Sequence, residues 1–164
     1  MAHEDFFLKL DAERGGVIKG EAQDREHKDE IDVVGWSWGM SAPTSAAGNR
    51  KARATIHQLC VRKRIDSAST ALMAAVAQNG KLKTAVLTAR RAGGGQIDFL
   101  RVTLRNAFLT SIEVAADGGE QGTGTLEDLK ISFETIKVEY VPQGPDGAKR
   151  GSTSFEATWA AAGD

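Results

Sequence analysis

Residues 35–39, GWSWG, are where residue types and spacing most directly suggest covalent chemistry. They fit G-x-S-x-G, the nucleophile elbow in which the central serine attacks an ester or amide. They equally fit a β-strand with Trp36 and Trp38 on one face and Gly35, Ser37 and Gly39 on the other. Chain order decides between the two. An elbow needs strand, tight turn and helix, then an acid and a histidine downstream. His57 is the only histidine after Ser37, and residues 38–56 contain no Asp or Glu. A triad in that order cannot be built, so no catalytic residue is assigned.

The remaining reactive side chains are scattered. His3, His27 and His57 fall in a terminus, a charged loop and a strand, without HExxH or a comparable spacing, so no metal site is assigned. HKDE at 27–30 reads as a solvated charge run at a strand entrance. RRAGGG at 90–95 lacks the terminal G-K-[ST] of a phosphate loop and reads as a hairpin turn after a basic strand end. Cys60 stands alone, which excludes an intramolecular disulfide or a cysteine-built zinc site. Arg62, Lys63 and Arg64, with Arg90, Arg91, Arg101 and Arg105, lack the interleaved aromatics of a single-strand-binding platform. They form either a solvated barrel face or a wall that attracts an acidic passenger.

The bulk numbers leave room for one domain, residues 1–164, with a core that needs no staples. Lys plus Arg total 21 and Asp plus Glu 22, so charge gives no case for nucleic acid or an anionic membrane. No segment approaches the ~18 uninterrupted apolar residues of a membrane helix. MAHEDFFLKLD carries acids where a signal peptide needs a basic region, so export would not use a cleaved N-terminal signal.

The elements that must position these residues are mainly strands, since glycine-rich turns punctuate short alternating runs. DFFLKLD places Phe6, Leu8 and Leu10 on one face, AERGG turns, and VIKGEA returns as a partner. AQDREHKDE is a charged, solvated loop. IDVVGWSWGM puts Val34, Trp36, Trp38 and Met40 on one face. Residues 41–54 form a loop well beyond the usual ~4–6 residues. TIHQLCVRKRI is a strand with Leu59, Val61 and Ile65 in phase. One helix follows, with Asp66 or Ser67 as its cap, Leu72 and Val76 one turn apart, and Gly80 to end it. Leu100, Val102, Leu104, Phe108, Ile112 and Val114 then share one parity. The phase change between Phe133 and Ile136 predicts a β-bulge near Glu134–Thr135. Phe155, Ala157 and Trp159 suggest a last short strand. About nine strands and one helix make a compact β-barrel or two-sheet sandwich, with edges that closure or neighbours must cover.

HKDEIDVVGWSWGMSAPTS, AVLTARRAGG, FLRVTLRNAFLTSI and KVEYVPQ, in that order, resemble the haemolysin co-regulated protein (Hcp) family, the inner-tube subunits of the bacterial type VI secretion system. IKGEA at 18–22 and the helix at 67–79 sit where that pattern has them. The resemblance covers almost the whole chain. It implies a β-barrel-like fold with an outer helix, a homo-hexameric ring, and rings stacked into a tube that a contractile sheath propels into a neighbouring cell. It also implies effector proteins carried in the lumen, sheath and spike proteins as partners, and passage from the bacterial cytoplasm to the exterior. Neither a cofactor, nucleic acid nor membrane insertion is implied. Under this resemblance Trp36 and Trp38 fill the barrel, and Gly35, Ser37 and Gly39 form a smooth outer face, towards the lumen or the subunit seam. The loop, with Pro43, Thr44, Ser45, Asn49, Arg50, Lys51 and Arg53, reaches a neighbouring subunit or ring, its basic residues meeting acids such as the 24–30 run. Two other classes are a monomeric ligand-binding barrel, which requires an apolar cavity, and a secreted hydrolase using Ser37.

Overall fold

Alternation in β1 (Glu4–Ala12) buries Leu8 and Leu10, and the same rule builds the other strands of the sheet. The computed structural model describes residues 3–42, 54–91, 97–142 and 151–158. In chain order β1 is followed by β2 (Gly16–Ile18), β3 (Ile31–Val33), β4 (Gly35–Ser37), β5 (Met40–Ser41), β6 (Thr55–Ile56) and β7 (Leu59–Arg64). Helix α1 (Ser69–Ala77) precedes β8 (Lys81–Arg91), β9 (Asp98–Asp117), β10 (Gly124–Tyr140) and β11 (Thr153–Thr158).

The main sheet runs β2-β1-β8-β9-β10-β7-β4, with β3 also on β1 and β11 also on β10; β5 and β6 form a separate pair. The closure is local in sequence. β3 pairs with β1, Val33 opposite Phe6, while β4 pairs with β7, Trp36 opposite Val61. One short stretch therefore joins the two ends of the sheet and makes a barrel, which removes most of its edges. Leu8, Leu10, Ile31, Leu59, Leu82, Leu104, Leu129, Ile131 and Ile136 fill the interior.

The expected parities hold only in part. β8 buries Leu82 and then Ala85; β9 buries Leu104 and then Ala107; β10 buries Ile131 and then Ile136. Three neighbouring strands thus exchange inner and outer faces at one level, where Thr84, Arg105 and Thr135 lie side by side. Asn106 there has φ 50°, and its Nδ2 donates to Glu134 Oε2 at 2.8 Å. Pairing of β9 with β10 stays in step through this level, so the predicted bulge at Glu134–Thr135 is a shared face exchange. The register shift lies between Lys130 and Ile131, and the single parity expected from Leu100 to Val114 breaks: Leu109 is buried and Val114 exposed.

Two further expectations change. Ile31 and Val33 are buried, Val34 and Met40 exposed, because the chain bends at Val34 before Trp36 turns inward. In β7 the third inward position belongs to Lys63, and Ile65 is exposed. Helix α1 is shorter than expected. Asp66 Oδ1 accepts the Ala68 N–H at 3.0 Å and Ser69 Oγ accepts the Asp66 N–H at 2.9 Å. Ser67 caps nothing; its N–H goes to Glu21 Oε2. Asn79, with φ 53°, makes the left-handed exit assigned to Gly80, whose N–H then reaches Ala75 O at 2.8 Å.

Candidate functional site

An assembly surface is built from edges, loops and outward faces, and the long polar loop is the first of these. Its base is the β5–β6 ladder, with Met40 opposite Ile56 and Ser41 opposite Thr55. Trp38 braces that ladder by donating Nε1–H to His57 O at 2.9 Å. Pro43, Thr44, Ser45, Asn49, Arg50, Lys51 and Arg53 lie outside the described residues.

Trp36 and Trp38 are partly buried and pack against the core; Trp36 meets Phe6 edge-on, with ring centroids 6.4 Å apart. Gly35 and Ser37 come together on the outside of the barrel. With Cys60, Arg62, Glu113, Asp128 and Lys130 they line a shallow groove of about 420 Å³. A Cβ at Gly35 would meet nothing within 4 Å, so the missing side chain keeps this face low without relieving any internal contact. Gly39 belongs elsewhere, beside the His57 ring. Ser37 sits on a straight strand opposite Cys60, without the strand–turn–helix of an elbow. Among the described residues the serine–histidine contact is Ser41 Oγ to His57 Nε2, 3.3 Å and exposed.

The basic residues divide by parity. Arg62 points out and pairs with Asp128 at 2.8 Å. Lys63 points in and is fully buried, with Nζ 2.5 Å from Glu127 Oε2, 2.9 Å from Asp66 Oδ1 and 3.2 Å from Ser69 Oγ. Arg64, Arg91, Arg101 and Arg105 are exposed. Arg90 is buried: it packs over the Phe7 ring and forms a two-pronged pair with Asp24. That hydrogen-bonded guanidinium, helped by the Glu26 and His27 backbone amides, holds the Asp24 carboxyl down at about 2.

The 20–30 segment is the solvated run its composition predicts only in part: Arg25, Glu26, Lys28 and Asp29 are exposed, but His27 is buried and Asp24 and Glu30 turn inward. The Gly20 and Ala22 amides donate to Asp29 O and Glu30 O, folding the segment back on itself. A Cβ at Gly20 would stand 2.6 Å from Glu30 O, so this approach requires glycine. Phe7, on the outer side of β1, is buried beneath the segment, with the His27 ring stacked on it at 4.4 Å. His27 Nδ1 lies 3.0 Å from Glu30 Oε2, and Nε2 lies 3.2 Å from both Asp98 oxygens. Asp24 and Glu30 are thus engaged within the chain, which removes them as free partners for the basic loop. Arginine beyond a strand end and histidine in a charged loop gave no signal of this union, because its partners are 66 and 71 residues apart.

The remaining open edges are short. β11 pairs with β10 along one side and carries exposed Phe155, beside exposed Tyr140. β2 pairs with β1 through three residues. Among the described residues no helix is long and apolar enough to cross a membrane.

The sequence pattern described as "Type VI secretion system effector, Hcp" matches residues 7–140. Protein hcp1 of Pseudomonas aeruginosa PAO1 is 36% identical over 151 residues, covering 90% of this chain and 89% of that protein. The crystal structure of Hcp1 from Salmonella typhimurium superposes with a TM-score of 0.77 at 26% identity, over 97% of this chain and 96% of its own. That of a type VI secretion system effector from Yersinia pestis gives 0.73 at 25%, over 94% and 99%.

Proposed function

The chain belongs to the Hcp family of the type VI secretion system, and we propose that it is the structural subunit of that system's tail tube. In this reading six copies form a ring and rings stack. The tube leaves the cell within its sheath, behind the spike, carrying effector proteins in its lumen. The observation that carries the reading is the family match across residues 7–140, the span that forms the closed barrel. The packed interior supports it as well. A ligand-binding barrel needs an apolar cavity, and here leucine and isoleucine side chains fill that place. The half-paired β11 and the low groove at Gly35 and Ser37 are surfaces that a neighbouring subunit would cover.

The test is the mass of the purified chain in solution, with electron microscopy of the same sample. A ring gives six times 17.5 kDa and a central hole. A clean monomer across micromolar concentrations overturns the reading. Replacing residues 44–51 by a short Gly-Ser linker separates fold from assembly. The β-rich circular dichroism stays, while ring or tube formation and type VI delivery fail. A shortened protein that still stacks and is exported would remove the loop from the assembly.

A further inference from the structure

We propose that Glu26, His27 and Asp98 form a binding site for a divalent transition-metal ion, zinc by preference, that fastens the 20–30 segment to the start of β9. The argument begins with the His27 ring. It is only 6% exposed and is held flat on Phe7, the two planes 8° apart. Its Nδ1 faces Glu30 Oε2 at 3.0 Å. An ionised carboxylate only accepts hydrogen bonds, so a ring proton on Nδ1 satisfies Glu30. In a neutral ring this leaves Nε2 as a bare lone pair. The atoms facing it are Asp98 Oδ1 and Oδ2, both at 3.2 Å and both acceptors. Lone pair against lone pairs is repulsive, and the buried ring has little solvent to screen it. A positive species must lie between them.

That species is either a second ring proton or a metal ion, and a third ligand group within reach favours the ion. Ligands about 2.0–2.1 Å from a shared tetrahedral metal stand about 3.3 Å apart. The observed 3.2 Å from Nε2 to an Asp98 oxygen is close to that spacing, so one of the two oxygens can share an ion with the ring. Glu26 supplies the third ligand. Its carboxylate oxygen, a His27 ring nitrogen and an Asp98 oxygen all lie within 4.8 Å of one another. Glu26 is exposed, so a rotamer change brings it onto an ion and leaves the fourth position to water.

The surroundings suit a cation. Asp24 is neutralised by Arg90, whose guanidinium is turned to Asp24 and the Phe7 face, with Asp5 3.8 Å away. Glu26, Glu30 and Asp98 remain as surplus negative charge. Glu30 also fixes the tautomer and orientation of the ring, the outer partner that metal-bound histidines commonly have. One imidazole with two carboxylates favours zinc or a neighbouring transition metal over magnesium, which keeps to oxygen ligands and water.

The experiment is calorimetric titration of the purified chain, stripped with chelator, with zinc chloride, using magnesium chloride as control. Thermal melting is followed in parallel. One zinc per chain binds, magnesium gives no heat, and the melting point rises with zinc. Glu26→Gln and Asp98→Asn each abolish or sharply weaken binding. Glu30→Gln, which spares every ligand, weakens it by about 10–100-fold at unchanged stoichiometry. Glu26 is exposed, so its variant folds and keeps the comparison sound. Absence of zinc heat and of any melting shift at about 100 µM zinc overturns the proposal and leaves a doubly protonated ring bridging Glu30 and Asp98. Zinc binding unchanged in both Glu26→Gln and Asp98→Asn overturns it equally, since the ion then sits elsewhere.

Discussion

Two clusters of charge tie irregular segments to the barrel, and they do so differently. At the foot of α1, Lys63 and Glu127 are opposite residues of β7 and β10, both fully buried. The Lys63 ammonium has an acceptor for each of its three protons: Glu127, Asp66 and Ser69. Beneath the 20–30 segment, Arg90 and His27 are buried, while Asp24 and Asp98 remain 17% and 23% exposed. The first cluster is closed to solvent, one ammonium facing two carboxylates, with Glu127 Oε1 left without a partner among the described residues. The second keeps acids at its rim, where water or an ion can enter. Burial therefore sets the consequence of damage: a charge stranded at Lys63 has no recourse to solvent, whereas one stranded at Arg90 does.

Lys63→Met should accordingly cost most, about 3–5 kcal/mol, by leaving Glu127 buried and unpaired. Denaturant unfolding measures it. The double variant Lys63→Met/Glu127→Leu should recover most of that loss, because the pair has little net worth against apolar packing. No recovery would mean that Asp66 and Ser69, rather than Glu127, depend on the lysine. Trp36→Ala provides an apolar yardstick. Half-buried against Phe6, it should fall near the low end of the range for aromatic truncation, about 3 kcal/mol.

Arg90→Gln should cost less, about 1.5–3 kcal/mol, the scale of a charge-assisted hydrogen bond whose partner can turn to water. Its signature is local. Hydrogen exchange at the Gly20 and Ala22 amides should quicken while β9 and β10 stay protected. A loss as large as that of Lys63→Met, spread over the whole barrel, would erase the distinction between the clusters.

The smallest effect has the opposite sign. Asp32 is exposed on β3, yet partial desolvation and then Asp66, Asp5, Asp24 and Glu21 raise its carboxyl above the ordinary value. A raised carboxyl favours the neutral form in the fold, so its ionisation at neutral pH works against folding. Asp32→Asn should lift the melting point by about 1–2 °C at pH 7. The gain should fade as pH falls through the raised value and vanish below about 3.9, where the unfolded chain is protonated too. An unchanged melting point at pH 7 would show that the repulsion is screened.

Much of the architecture was legible because hydrophobic period is a local property. Leu8 and Leu10, Leu59 and Val61, Val102 and Leu104 could be placed inward from the letters alone, and the helix from Leu72 and Val76 one turn apart between cap residues and Gly80. Gly35, Trp36 and Ser37 read as a strand, and a strand they are. The misplaced residues share one cause. Lys63 stands inward in phase with Leu59 and Val61, which requires Glu127 across the ladder, 64 residues on, while Ile65 lies past the end of β7 and is exposed. Leu109 took the place expected for Phe108 because β8, β9 and β10 exchange faces together, which no single strand displays.

The sequence by itself determined the family and the strand-rich plan, each carried by residue order or by neighbours within one element. Only the tertiary structure decided which charged side chains are solvated. A buried Lys63 or His27 is tolerable when carboxylates from distant elements surround it, and desolvation would exclude it otherwise. No count of local charge contains that pairing, because the chain must close into a barrel before Glu127 meets Lys63 or Asp98 meets His27.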